Sequence, residues 1–125
     1  MDEYRDITLN WENATQGTQF TCVKLGASAG GCDVATAYSD NIIGILQNKP
    51  KQNQAAQVRV YGPSKLIAST VIALGAYITA TTSGKGVTCS TTLYHAVAIA
   101  LYEAATADTH QFKVWVLGPG FKFVV

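Results

Sequence analysis

The chain has 125 residues, enough for one domain that holds an apolar core without metals or crosslinks. Its formal net charge is +1 and it contains no run of Lys or Arg, so it lacks the basic stripe of a nucleic-acid binder. Charged residues make up only 14% and hydrophobic residues 48%, a balance that excludes disorder and suits a surface covered by other protein.

Residues 1–17 are polar, with Tyr4, Ile7, Leu9 and Trp11 at odd spacings and no helix cap; they read as an extended N-terminal arm and a turn. The opening MDEYRDITLNW has no apolar stretch and is no signal peptide. From Thr18 to Leu25 polar and apolar residues alternate, a strand signature. Ala27 to Gly31 is a small-residue turn, and a short strand is expected from Val34 to Tyr38. NIIGIL, Asn41 to Leu46, reads as a buried strand, followed by a polar loop from Asn48 to Asn53. Gln57 to Tyr61 alternates with Val58 and Val60 inward, and Gly62-Pro63 is expected to end it. Leu66 to Ile78 reads as two strands around a turn, and Ser83 to Gly86 as a further turn. Phe112 to Leu117 is a strand closed by Gly118-Pro119-Gly120, and residues 121–125 read as a last strand or arm.

The segment HAVAIALYEAATA, His95 to Ala107, has high helix propensity through its alanines. An internal repeat argues against a helix. Asn41 to Pro63 and His95 to Pro119 share one pattern: apolar strand, polar or small-residue loop, alternating strand, Gly-Pro. Gly44 pairs with Ala98, and Val58, Val60, Gly62 and Pro63 pair with Val114, Val116, Gly118 and Pro119, given a two-residue insertion in the second loop. Val97 to Leu101 is then a strand and Ala104 to Thr109 a loop. The expected fold is all-β, a small barrel or sandwich over residues 18–120. Its two similar halves should meet through Ile43, Ile45, Val58, Val60, Val97, Ile99, Val114 and Val116.

Nothing in the sequence forms a catalytic signature. Gly26 to Gly31 lacks the Lys-Ser/Thr of a phosphate loop. His95 and His110 have no neighbouring metal ligand at a useful spacing. Asp108 and His110 are close in a loop, but no nucleophile elbow accompanies them. Cys22, Cys32 and Cys89 form no C-x-x-C pair and read as buried thiols. No enzyme activity, cofactor or metal is expected. The apolar stretches are too short and broken to span a membrane.

The interface candidates lie near the chain ends: Tyr4, Arg5 and Trp11 in the N-terminal arm, Phe121 and Phe123 at the C-terminus. Aromatic anchors of this kind dominate binding energy where they meet a partner. Trp115 is out of phase with Val114 and Val116, so it should point away from the core.

Three stretches carry a family resemblance. DNIIGILQNKP (Asp40 to Pro50), AAQVRV (Ala55 to Val60) and GPSK (Gly62 to Lys65) resemble the small capsid decoration, or cement, proteins of tailed phages. Their matching segment reads (I/V)GVLQNKP, then a strand and G-SKV. IALGAYIT (Ile72 to Thr79), Gly84, AIALYEAAT (Ala98 to Thr106) and FKVWV (Phe112 to Val116) resemble later parts of the family pattern. The resemblance runs from Val34 to Leu117. Ala76 stands where the family carries Asp and Ala98 where it carries Gly, and the two ends have no counterpart. The resemblance implies a barrel-like domain on the virion exterior, bound outside the capsid as a homotrimer on the phage major capsid protein. The missing basic run, membrane span and signal peptide lead to the expectation of no nucleic-acid or membrane partner and of synthesis in the host cytoplasm. The alternatives are another virion component, minor capsid or tail-associated, or a small-ligand-binding barrel.

Overall fold

The computed structural model describes residues 4–37, 40–89 and 96–117. These form nine strands: β1 (Arg5–Trp11), β2 (Cys22–Leu25), β3 (Gly31–Val34), β4 (Ile42–Leu46), β5 (Ala55–Ile67), β6 (Tyr77–Ala80), β7 (Gly86–Thr88), β8 (Ala98–Ile99) and β9 (Gln111–Val116). One 3-10 turn, Thr82–Gly84, joins β6 to β7.

The strands close twice. In the first half the order β1-β3-β2-β4-β5 returns to β1, which makes a closed five-stranded barrel. In the second half β5 continues into β9, then β8, β6 and β7, and a parallel bridge from Gly86 to Ala68 brings β7 back to the chain just beyond β5. β5 is therefore the last wall strand of one barrel and the first of the next.

The strand pairings of the first ring recur in the second, in matching register away from the first ring's bulges at Arg5/Asp6 and Val23/Lys24. The parallel pair Trp11–Cys32 corresponds to Ala68–Gly86. Val23–Val34 corresponds to Ile78–Thr88, and Val23–Gly44 to Ile78–Ala98. Ile45–Arg59 corresponds to Ile99–Trp115, and Ile7–Val58 to Ser64–Val114. The loop hydrogen bonds follow: Phe20 N–H to Leu46 C=O matches Gly75 to Ala100, both 2.7 Å, and Asn53 to Trp11 matches Thr109 to Ala68, both 2.7 Å. Even the left-handed residues agree, Phe20 with Gly75, Gly30 with Gly84, and Asn53 with Thr109. The repeat read between residues 41–63 and 95–119 is thus the visible part of a duplication that spans both barrels.

The all-β expectation holds, and residues 96–107 contain no helix. The alanines of this segment are mostly buried in a strand and loop, because β8 must pair with β6 and β9 to complete the ring. Four expectations need correction. The stretch expected as an arm contains β1, whose residues 5–10 pair with β5 and whose last residues pair with β3. The third strand lies at Gly31–Val34 rather than Val34 to Tyr38, because the turn is tight and closes at Gly31 through its N–H to Ser28 C=O, 3.0 Å. Gly62-Pro63 does not end β5: Gly62 takes φ 105°, a conformation open to glycine, and redirects the strand from one barrel into the other. The halves also meet through only four of the eight residues named above, Ile45, Val97, Val114 and Val116, which share one cluster. Ile43, Val58 and Val60 belong to a cluster built only from the first half, with Trp11, Val23, Cys32, Leu46 and Ala56. The residues of the first half that pack with the second are Cys22, Ala35, Ile42 and Ile45. Strand alternation explains this, since Cys22 and Ile45 face away from Val23 and Leu46.

Candidate interaction surface

Among the described residues no group of three His, Cys, Asp or Glu side chains is placed to hold a metal ion. Several polar side chains are engaged in contacts within the fold. His110 Nδ1 accepts the Thr106 N–H at 3.1 Å, and its ring stacks on Phe112. Asp108 meets Lys85 at 3.3 Å. Burial pushes the Cys22 thiol up to about 12. Burial and the charges of Asp33 and Glu12 push Cys32 up to about 11. Neither sulfur is a ready nucleophile. Burial raises the Asp40 carboxyl, but the Thr36 and Ala37 amides, the Lys24 ammonium and the Thr36 hydroxyl outweigh it and hold Asp40 below the usual carboxylate range.

Three of the expected interface residues converge where β1, β5 and β9 meet. Arg5 is the register partner of Tyr61, and Pro63 that of Trp115. Trp115, half-buried, meets Tyr61 edge to face at 5.4 Å. Tyr4 is 58% exposed and covers the Arg59 guanidinium at 4.1 Å. Arg59 is itself fixed by a two-pronged contact with Asp6, 2.7 and 3.1 Å, and by the Pro63 carbonyl, 2.8 Å. Planar charged pairs of this kind are rigid, so the tyrosine ring sits on a preorganised base. Trp11 does not join this surface. It is 1% exposed in the first barrel, with its indole N–H donating to Thr15 C=O at 2.9 Å. Its expected interface role is replaced by a core role. Phe121 and Phe123 lie outside the described residues.

Two features escaped the sequence reading. Beside the aromatic group lies an open cleft of about 400 Å³, lined by Phe20, Gln47, Arg59, Pro63, Ser64, Lys65 and Lys113. Lys65 and Lys113 stand directly opposite one another in the β5–β9 ladder, an arrangement that costs stability through repulsion. The second feature is apolar: Val71, Leu74, Leu101 and Tyr102 are 64, 63, 53 and 42% exposed on the loops before β6 and after β8. Alignment of these loops with their counterparts in the first half could have found it.

No family model matches the chain. No curated protein matches it either. A solved structure does: the N base of head fiber gp8.5 in bacteriophage phi29 superposes with a TM-score of 0.67, over 92% of this chain and 95% of that one, at 12% identity. The likeness is one of fold. It extends across both barrels, so the all-β architecture seen here is that of a known domain.

Proposed function

We propose that this chain is a structural protein of a tailed-phage head, bound to the outside of the capsid as a decoration protein that stabilises the major-capsid lattice. The observation that carries the reading is the two-barrel fold, shared over nearly the whole chain with the base of a phage head fiber. The QNKP block and the following strand, which resemble cement proteins, support it independently. The surface around Tyr4, Arg5, Tyr61 and Trp115, with the Lys65–Lys113 cleft beside it, is the face we assign to the capsid. It combines aromatic area, fixed geometry and positive charge, the composition of a binding hot spot. As a trimer, each particle-bound unit ties three contacts together. A ligand that binds only the mature shell stabilises it by mass action, about 2.7 kcal/mol per site at 100 times the dissociation constant.

The fiber-base likeness favours one second reading, a platform for a fiber on the head. A reconstruction of intact particles separates the two, since cement covers the lattice and a fiber base carries an appendage. Particles stripped of the protein should lose their DNA at lower temperature, and adding it back should restore them. Stripped particles as heat-resistant as complete ones would end the cement reading. The double substitution Tyr4→Ser with Arg5→Glu should lower capsid occupancy while leaving the thermal unfolding of the free protein within about 1 kcal/mol, as for other surface changes.

A further inference from the structure

The duplication supplies an internal control for the apolar patch. Val71, Leu74, Leu101 and Tyr102 have first-barrel counterparts, fixed by the neighbouring hydrogen bonds that recur in both halves: Gln16, Gln19, Gln47 and Asn48. All four of those are polar and engaged. Gln16 donates to Lys49 C=O, Gln19 to Gln47 C=O, Gln47 to Ile45 C=O and the Ser64 hydroxyl, and Asn48 to Ala55 C=O, at 2.8–3.1 Å. The same backbone therefore presents an amide-covered end in one barrel and an exposed, mainly apolar end in the other. The two loops that bear the patch lie side by side, joined by Gly75 N–H to Ala100 C=O at 2.7 Å and by the reciprocal Ile72–Ala105 pair at 2.9 and 3.0 Å. Large apolar side chains exposed on adjacent loops are candidates for a site of association.

The duplication also identifies an occupant. After the first hairpin the chain passes Gly62-Pro63 and does not return to the barrel it has just built; it becomes the opening strand of the next one, burying Leu66 and Ala68 there. The second hairpin ends in the same Gly-Pro, at Gly118-Pro119, followed by GFKFVV. This segment is apolar over most of its length. It alternates, with Phe121, Phe123 and Val125 in one phase and Lys122 between them. Leu117, from which it departs, is bonded to Val97 C=O at 3.0 Å. The patch lies at the other end of the β8–β9 hairpin, where the Lys113 ammonium covers the Tyr102 ring. Departure at one end and acceptor at the other suit a head-to-tail contact between copies.

We propose that the apolar end of the second barrel is the docking site for the C-terminal segment, residues 118–125, of a second copy of this chain. Phe121 and Phe123 cover Leu74 and Leu101, and Lys122 lies within reach of the exposed Glu103 carboxylate. Repeated head to tail, the contact closes into a ring when the rotation between copies permits. This specifies the self-association included in the capsid reading and rests on that reading only for the number of copies.

The test uses the free full-length protein, without capsids, so its failure is distinct from a failure to decorate heads. Wild type is compared by sedimentation with Leu74→Gln/Leu101→Gln, which copies the first barrel, and with Phe121→Ser/Phe123→Ser. Circular dichroism checks that each variant is folded. Wild type should associate, and each variant should associate on the order of a hundredfold more weakly, as expected when two apolar side chains stay in water. An equimolar mixture should form a one-to-one dimer, because one variant retains an intact patch and the other an intact segment. A monomeric wild type, unchanged variants, or variants that fail to complement each other when folded would each overturn the proposal.

Discussion

The first and second barrels share a ladder but fill it differently. Trp11, Cys32 and Leu46 in the first correspond to Ala68, Gly86 and Ala100 in the second, while Ala56 in the first corresponds to Phe112. Among the described residues each barrel thus has one large buried aromatic, entering from β1 in one and from β9 in the other. The backbone register is the invariant, and the volume needed to fill a five-stranded ring is supplied from whichever wall carries it. Close packing requires the sum of volumes and leaves their distribution open.

The largest effect should come from removing residues 1–10, which deletes most of β1 and opens the first barrel. A cost of about 4 kcal/mol or more is expected, beyond the range of ordinary point changes. Hydrogen exchange should show protection lost at Ala56 to Val60 and kept at Phe112 to Val116. Equal loss in both would show that the barrels are one cooperative unit. Next, Trp11→Ala and Phe112→Ala should each cost about 3–5 kcal/mol in urea unfolding. Adding Ala56→Phe to Trp11→Ala, which imitates the second barrel, should recover part of the loss. The recovery would appear as a coupling of about 1–3 kcal/mol in a double-mutant cycle. Simple additivity would refute the compensation.

A smaller contrast sits on β4 and β8. A methyl at Gly44 would meet the Arg59 backbone carbonyl, whereas Ala98 carries one at the equivalent place. Gly44→Ala should therefore destabilise by about 1–3 kcal/mol through overpacking, and Ala98→Gly by no more than about 1 kcal/mol. Smaller still, Thr109 holds φ 65° where its counterpart is Asn53 at 66°. A β-branched residue is strained there and asparagine is not, so Thr109→Asn should raise stability by about 0.5–1 kcal/mol, within the usual range of stabilising single changes. The smallest effect is acid-dependent. Because Asp40 is held below its ordinary value, its contribution is full above the unfolded carboxyl's pKa and is lost as pH falls through the folded one. Asp40→Asn should flatten the acid limb of the stability profile and leave the neutral limb's slope unchanged.

These contrasts also show what the sequence could convey. Val58, Val60, Val114 and Val116 advertise their strands because period-two burial is written directly in them, and the repeat identified β8 against its own helix propensity. β1 was hidden because residues 4–8 are exposed and so show no alternation. The continuity of β5 was hidden because Gly-Pro is a general sign of a stop, and only the φ of Gly62 reveals a bend instead. Of the interface candidates, Tyr4, Arg5 and Trp115 converge only through the β1–β5 and β5–β9 registers. Trp11 was misplaced because proximity to a terminus says nothing about closure of a ring. The apolar end of the second barrel was legible in principle, but only after the halves had been aligned through their hydrogen bonds.

The strand shared by the two barrels bears on how the molecule is made. All wall strands of the first ring lie within residues 5–61, so that ring can close while the rest of the chain is still being synthesised, N-terminus first. Its closure leaves the second half of β5 protruding, already extended and held at one end. The later half then needs only to add β9 and its neighbours to a template in place, which lowers the entropy lost in bringing distant segments together. Order of synthesis and order of assembly therefore run in the same direction along one strand.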